Sequence, residues 1–226
     1  DLLASDELVQ VFVGGDEIQY VDKPNKDKPL EVKAEAGTGY FKTAWAGDQV
    51  KPNMGDLKVV KNDDGIAWGA AYWQYFEDLD KITFAETNLK LEKQLFLVNV
   101  SSEGEQLKPI TDSNVLKVGQ KVRVRIELRT DRNLEYVHMK DMRASGFEPI
   151  NVLSRYHYQD GLGYYQATKD AATNFFFDYI PKGTHVFEYD LRVQHKGDFS
   201  NGITTIQCMY APEFTSHSDG IRVIVE

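Results

Sequence analysis

Alternation of apolar and polar side chains with a period of two runs through most of the chain. In KVRVRIELR (121–129), Val122, Val124, Ile126 and Leu128 share one face, while Arg123, Arg125, Glu127 and Arg129 share the other. In HVFEYDLRVQ (185–194), Phe187, Tyr189, Leu191 and Val193 point one way, and Glu188, Asp190, Arg192 and Gln194 the other. Successive side chains of a strand lie on opposite sides of its sheet, so this spacing predicts half-buried antiparallel strands. Pro181-Lys182-Gly183 supplies a turn before the second of these strands and Lys196-Gly197-Asp198 one after it. Further strands are expected at LVQVFV, EIQYV, LEVKAEA, GYFKTAW, LKVVKND, GAAYWQYF, LKLEKQLFLVNV, EYVHMKDM, NFFFDYI, TTIQCMYA and IRVIVE. Turn signals such as GGDE, PNKDKP, AGDQ, KPNMG and NDDG separate them, and ASGFEPIN (144–151) reads as an irregular link.

No long helical period interrupts this pattern, so the fold class is all-β, an antiparallel β-sandwich preceded by a smaller, incomplete β-module. The charged run EDLDKITFAETN (77–88) suggests the boundary, giving a module at 1–80 and a sandwich at 87–226. The first stretch, DLLASDELVQVFVGG, reads as an entry in mid-structure. No solenoid-length repeat or low-complexity tract is present.

Composition narrows the chemistry. With 226 residues, 42% of them hydrophobic, the chain can bury a substantial core. Its net charge of −9 repels nucleic acid and anionic lipid, and it lacks the basic stripe of a phosphate reader. The acidity itself reads as a solvated surface. A single cysteine, Cys208, excludes an intramolecular disulfide and any multi-cysteine metal site. No run approaches the ~18 apolar residues of a membrane span, so direct membrane insertion is not expected.

The five histidines, His138, His157, His185, His195 and His217, never fall at ligand spacing, and no metal or cofactor is expected. Acidic residues are abundant enough that a hydrolase would need only two carboxylates about 5 to 10 Å apart in a cleft. NDDG (62–65) lacks the spaced ligands of a calcium loop, and QDGLG (159–163) lacks the lysine and helix of a phosphate loop. Both read as turns. Tyr156, Tyr158, Tyr164 and Tyr165 surround a glycine-rich turn and offer a glycan-binding or adhesive surface if their rings share one exposed face. In the phenylalanine run, alternation predicts Phe175 and Phe177 buried and Phe176 turned outward, a candidate contact with a neighbouring domain. Cys208, alone on a strand, reads as a small buried hydrophobe.

A more specific signal lies in the last fifty residues. It consists of an aromatic strand ending in Asp-x-x-Pro-x-Gly (178–183), a long alternating strand and a Gly-x-Phe turn (197–199). Met-Tyr-x-Pro-Glu (209–213) and a closing Gly-x-x-Val strand (220–223) follow. Together with LKVGQKVRVRIELRTDRNLEYVHMKDMRASGFEPIN upstream, these residues resemble the closing domain of bacterial alpha-2-macroglobulin-like proteins, a macroglobulin-like or immunoglobulin-like sandwich. YWQYFEDLDKI (72–82) looks like the Bacteroidetes branch, and the resemblance covers about residues 60–226.

It implies a non-catalytic, C-terminal part of a protease-trapping, envelope-defence protein at the periplasm or cell surface of a Gram-negative bacterium, exported and with a lipid anchor as one option. The implied partners are the thioester domain and other macroglobulin-like domains of the same parent, and target proteases through that parent. In the family a Met-Tyr pair shields the thioester from water and amines, which maps onto Met209 and Tyr210. The Cys-x-Glu-Gln thioester signature is absent: EGEQ (103–106) imitates its ending with Glu103 in place of the cysteine.

Overall fold

The computed structural model describes residues 9–83, 88–102, 104–111, 114–159 and 161–226. Residues 1–8 of the opening stretch, 84–87 of the charged run, Glu103 of EGEQ and Asp160 of QDGLG lie outside the described residues. The chain divides into two compact units, Asp1–Gln74 and Tyr75–Glu226. All regular structure described is β, apart from one short 3₁₀ turn at Pro52–Gly55.

The first unit contains β1 (Gln10–Val13), β2 (Asp16–Glu17), β3 (Gln19–Tyr20), β4 (Glu31–Val32) and β5 (Leu57–Val60). Strand β1 is central, antiparallel to both β2 and β5, while β3 and β4 pair in parallel. Gly14 permits the tight β1–β2 turn: its φ is +63°, and an added Cβ would lie 2.6 Å from the Asn53 amide that donates to its carbonyl. Val13, Ile18 and Val32 form a small core with Tyr20, Phe41, Trp45 and Met54 around it.

Two expected strands do not form. GYFKTAW (39–45) and GAAYWQYF (69–76) contain no strand, and LEVKAEA contributes only Glu31 and Val32. Their aromatic content favours a strand, but a strand exists only where another backbone pairs with its N–H and C=O groups.

The second unit begins its strands with β6 (Leu89–Ser101), β7 (Gly104–Pro109), β8 (Val115–Leu116), β9 (Lys121–Thr130) and β10 (Leu134–Met142). Next come β11 (Phe147–Pro149), β12 (Arg155–Gln159), β13 (Leu162–Thr168), β14 (Ala172–Ile180) and β15 (Gly183–Val193). The last are β16 (Gly197–Ser200), β17 (Thr204–Cys208), β18 (Thr215–His217) and β19 (Arg222–Val225). A six-stranded sheet, β12-β13-β14-β10-β17-β18, packs on a five-stranded one, β11-β15-β9-β6-β7, and β16-β19-β8 forms a smaller third sheet. The expected irregular link ASGFEPIN includes the short strand β11; β7, β8, β12, β13, β16 and β18 lie outside the expected set, and β16 starts at Gly197, within the expected Lys196-Gly197-Asp198 turn. In β13 the adjacent Tyr164 and Tyr165 hide the alternation.

Burial follows the period-two pattern. Val122, Val124, Ile126 and Leu128 of β9 are fully inside and meet Val137 and Met139 of β10, Phe175 and Phe177 of β14, and Ile206 of β17 in one core. Phe187 of β15 makes ring contacts with Tyr164, Phe175 and Phe177 at centroid distances of 5.3 to 5.7 Å. The 79–82 segment is fastened to this unit: the Gly220 amide donates to the Ile82 carbonyl, and Arg222 pairs with both Asp80 and Asp198. Gly220 faces the Leu79–Asp80 backbone so closely that no side chain fits there.

Charge also enters the core. Lys93 occupies an inward position of β6 between Leu91 and Leu95, and its Nζ lies 2.7 Å from Asp141 Oδ1 of β10, with both side chains fully buried. Lys93 also donates to the Met142 carbonyl, Thr204 Oγ1 to Asp141 Oδ1, and the Tyr189 hydroxyl to Asp141 Oδ2. Burial pulls the Lys93 ammonium below its ordinary pKa, against the opposing pull of Asp141, and burial next to Asp141 pushes the Tyr189 phenol well up. Removing one partner of such a pair leaves an uncompensated buried charge. Lys93→Met is therefore expected to cost about 3 to 5 kcal/mol in urea unfolding.

The outer face of the five-stranded sheet carries a ladder of opposite charges. Asp190 accepts from Arg123 and Lys121, which also bind Glu105, and Arg125 pairs with Glu188. Burial alone would raise the Asp190 carboxyl, but hydrogen bonds from Arg123 and Lys121 outweigh it and hold the group low. Glu105 is held low first by Lys121 and then by Arg123. Depressed carboxylates stabilise the fold above their unfolded pKa, about 3.9 to 4.3, and lose that contribution as pH falls through their lower folded values. Stability measured from pH 5 down to pH 2 is expected to fall, and Asp190→Asn to make that fall shallower.

Candidate functional site

Opposite this charge ladder, the outer face of the six-stranded sheet has a different chemistry. Inter-strand register aligns Tyr156 with Tyr165, Tyr165 with Phe176, Phe176 with His138, His138 with Gln207, and Gln207 with Thr215. Each is an outward position of its strand, so one continuous row crosses all six strands, five steps of about 4.8 Å. None of the six is an Asp, Glu, Lys or Arg. Neighbours in the row touch: Tyr156 meets Tyr165 edge to face at 5.0 Å, and His138 stacks nearly parallel on Phe176 at 4.8 Å with its Nε2 3.0 Å from Asn174 Oδ1.

Beside the row, β17 ends at Cys208, earlier than expected, and Met209 and Tyr210 follow it as a bend. Both project outward, 62% and 80% exposed. The Met209 amide donates to the Tyr136 carbonyl at 2.8 Å, and the Tyr136 and Tyr210 rings meet edge to face at 5.2 Å. Tyr136 holds φ at +51°, and no other non-glycine among the described residues has a positive φ. A side chain in that conformation costs of order 1 to 3 kcal/mol.

Phe176 is 42% exposed, while Phe175 and Phe177 are buried, as their alternation dictates. The four tyrosines of the glycine-rich hairpin do not act together. Tyr156 and Tyr158 are exposed and Tyr165 is half-buried on the outer face, but Tyr164 is buried in the core against Phe187. Tyr164 therefore leaves the glycan-binding set, because consecutive residues of a strand must face opposite sides. Tyr136, His138 and Tyr179 are outer-face aromatic residues that sequence reasoning missed. The alternation of EYVHMKDM placed Tyr136 and His138 opposite Val137 and Met139, but only register shows what they stand beside.

Among the described residues, no cluster of three or more His, Cys, Asp or Glu could hold a metal ion. Glu105 and Asp190 are depressed, whereas a general acid needs a raised carboxyl. The Cys208 thiol is buried and pushed up by that burial and by the Glu213 charge, the reverse of an activated nucleophile.

Residues 89–213 match the family described as the bacterial alpha-2-macroglobulin MG10 domain. The chain belongs to the bacterial alpha-2-macroglobulin family. Alpha-2-macroglobulin of Escherichia coli activated by porcine elastase superposes with a TM-score of 0.51 at 17% identity, over 79% of this chain and 16% of that one. The native E. coli protein from domain MG7 to the C-terminus gives 0.49 at 14% identity, over 79% and 29%. Salmonella alpha-2-macroglobulin reacted with methylamine gives 0.48 at 19% identity, over 64% and 10%. Among curated proteins, circularly permutated Ras protein 2 of Dictyostelium discoideum is 23% identical over 126 residues, 55% of this chain and 3% of that protein. The chain thus spans less than a third of each of these relatives.

The assignment of faces in this MG10 domain has a direct check. Tyr164→Ala is expected to destabilise by about 3 kcal/mol, in the range of large aromatic truncations in cores. Tyr156→Ala on the outer face is expected to change stability by less than about 0.5 kcal/mol. Urea midpoints of the two variants read the difference.

Proposed function

We propose that this MG10 domain packs against the thioester domain of a Bacteroidetes-type alpha-2-macroglobulin and keeps water and amines from its thioester until a protease is trapped. The observation that carries this reading is the asymmetry between the two outer faces. One is a salt-linked ladder suited to solvent; the other carries, between the exposed Lys140 and Asp178, an aromatic-rich row without Asp, Glu, Lys or Arg, flanked by exposed Met209 and Tyr210. Large rings on a sheet face bury much area at little conformational cost. Contacts between domains of one chain typically bury about 600 to 1,500 Å², small enough to be released in a rearrangement.

Within this reading Tyr210 and Met209 cover the reactive bond, an apolar thioether and a ring excluding nucleophiles, and Phe176 lies in the same docked face. The parent acts at the periplasm or cell surface, and proteases meet this domain only through it. The glycan-binding alternative retains Tyr156, Tyr158 and Tyr165, but the Tyr156 and Tyr165 rings are tilted by 61°, which does not offer a sugar one flat platform.

Mass spectrometry of the full-length polypeptide containing this chain, with methylamine and then with a protease, tests the proposal against Tyr210→Ala. Methylamine uptake is expected to be faster in the variant. Equal uptake in both, or no uptake and no protease adduct in either, overturns the shielding role.

A further inference from the structure

The Met209–Tyr210 bend is held from one place, the middle of β10. Tyr136 lies on a strand flanked on both sides, by β14 and β17, yet has a left-handed φ of +51°. That conformation leaves a local irregularity in the burial pattern: Leu134 and Val137 are both buried, three positions apart, and Glu135 and Tyr136 between them are both exposed. Strand β14 makes the same adjustment opposite, with Phe177 and Ile180 buried and Asp178 and Tyr179 exposed between them. The pairs Glu135 with Tyr179 and Val137 with Phe177 hold the register on either side. In this conformation the Tyr136 carbonyl receives the Met209 amide, and the Tyr136 ring supports the edge of Tyr210.

We infer that Tyr136 is a positioning residue that sets the Met209–Tyr210 pair for docking, through its backbone carbonyl to Met209 and its ring to Tyr210. The inference rests on the shielding reading for its purpose but not for its geometry. It separates two roles that substitutions can take apart. A β-branched residue resists the left-handed conformation and pulls the carbonyl away, whereas glycine adopts it freely and lacks the ring. Phenylalanine keeps both the backbone preference of tyrosine and the ring face.

The test uses the full-length polypeptide with Tyr136→Val, Tyr136→Gly and Tyr136→Phe, read first by amide hydrogen exchange at Met209. The valine variant is expected to raise that exchange about tenfold by opening the bend, and the glycine and phenylalanine variants to leave it within about twofold. If valine does not fold, Tyr136→Thr carries the same contrast. Methylamine uptake is read second and is expected to rise with valine and glycine and to be restored by phenylalanine. Unchanged exchange in the β-branched variant overturns the positioning role even if Tyr210→Ala accelerates uptake. Raised exchange with uptake insensitive to Tyr210→Ala upholds the positioning role and removes the shielding one.

Discussion

The buried Asp141 carboxylate is the interaction on which the arrangement of the sandwich depends. It stands on β10 in the six-stranded sheet and accepts hydrogen bonds from Lys93 and Tyr189 of the opposite sheet and from Thr204 of its neighbour β17. Apolar contacts would tolerate the two layers sliding by a fraction of a residue. A charge without water does not, because each displaced donor leaves an unsatisfied group in low dielectric. The network therefore fixes which part of β10 faces β6, and with it the position of every outward residue on the six-stranded sheet.

That fixed geometry gives the two outer surfaces their separate characters. On the five-stranded sheet, charges of both signs sit opposite one another and satisfy each other in solvent. On the six-stranded sheet, residues from six different strands supply a row that contains no Asp, Glu, Lys or Arg. In the proposed docking, these rings would form a modest, non-covalent contact, which releases more readily than a second core would.

Strain is concentrated at the same place. The left-handed residue Tyr136, the only departure of its kind among the described non-glycine residues, lies under the Met209–Tyr210 bend. Regular β17 would have continued flat along the sheet. Its end at Cys208 and the carbonyl of Tyr136 turn the pair outward instead, so a feature that looks like a defect in β10 gives the two exposed side chains a defined direction.

The alternation in KVRVRIELR and HVFEYDLRVQ determined by itself that these segments are strands and which of their side chains enter the core, because side-chain direction along a strand is a local property. The outward turn of Phe176 followed from the same rule, and the closing motifs carried the macroglobulin resemblance. Pairing decided the rest. GYFKTAW and GAAYWQYF are rich in strand-favouring aromatics yet form no strand, since a ladder requires a partner that no local pattern specifies. Lys93 reads as a surface residue until β10 places Asp141 opposite it. Tyr164 and Tyr165 are equivalent in sequence, and only the sheet sends one into the core and the other into the aromatic row. That row is made by register between segments up to about seventy residues apart, a long-range property that the tertiary structure alone sets.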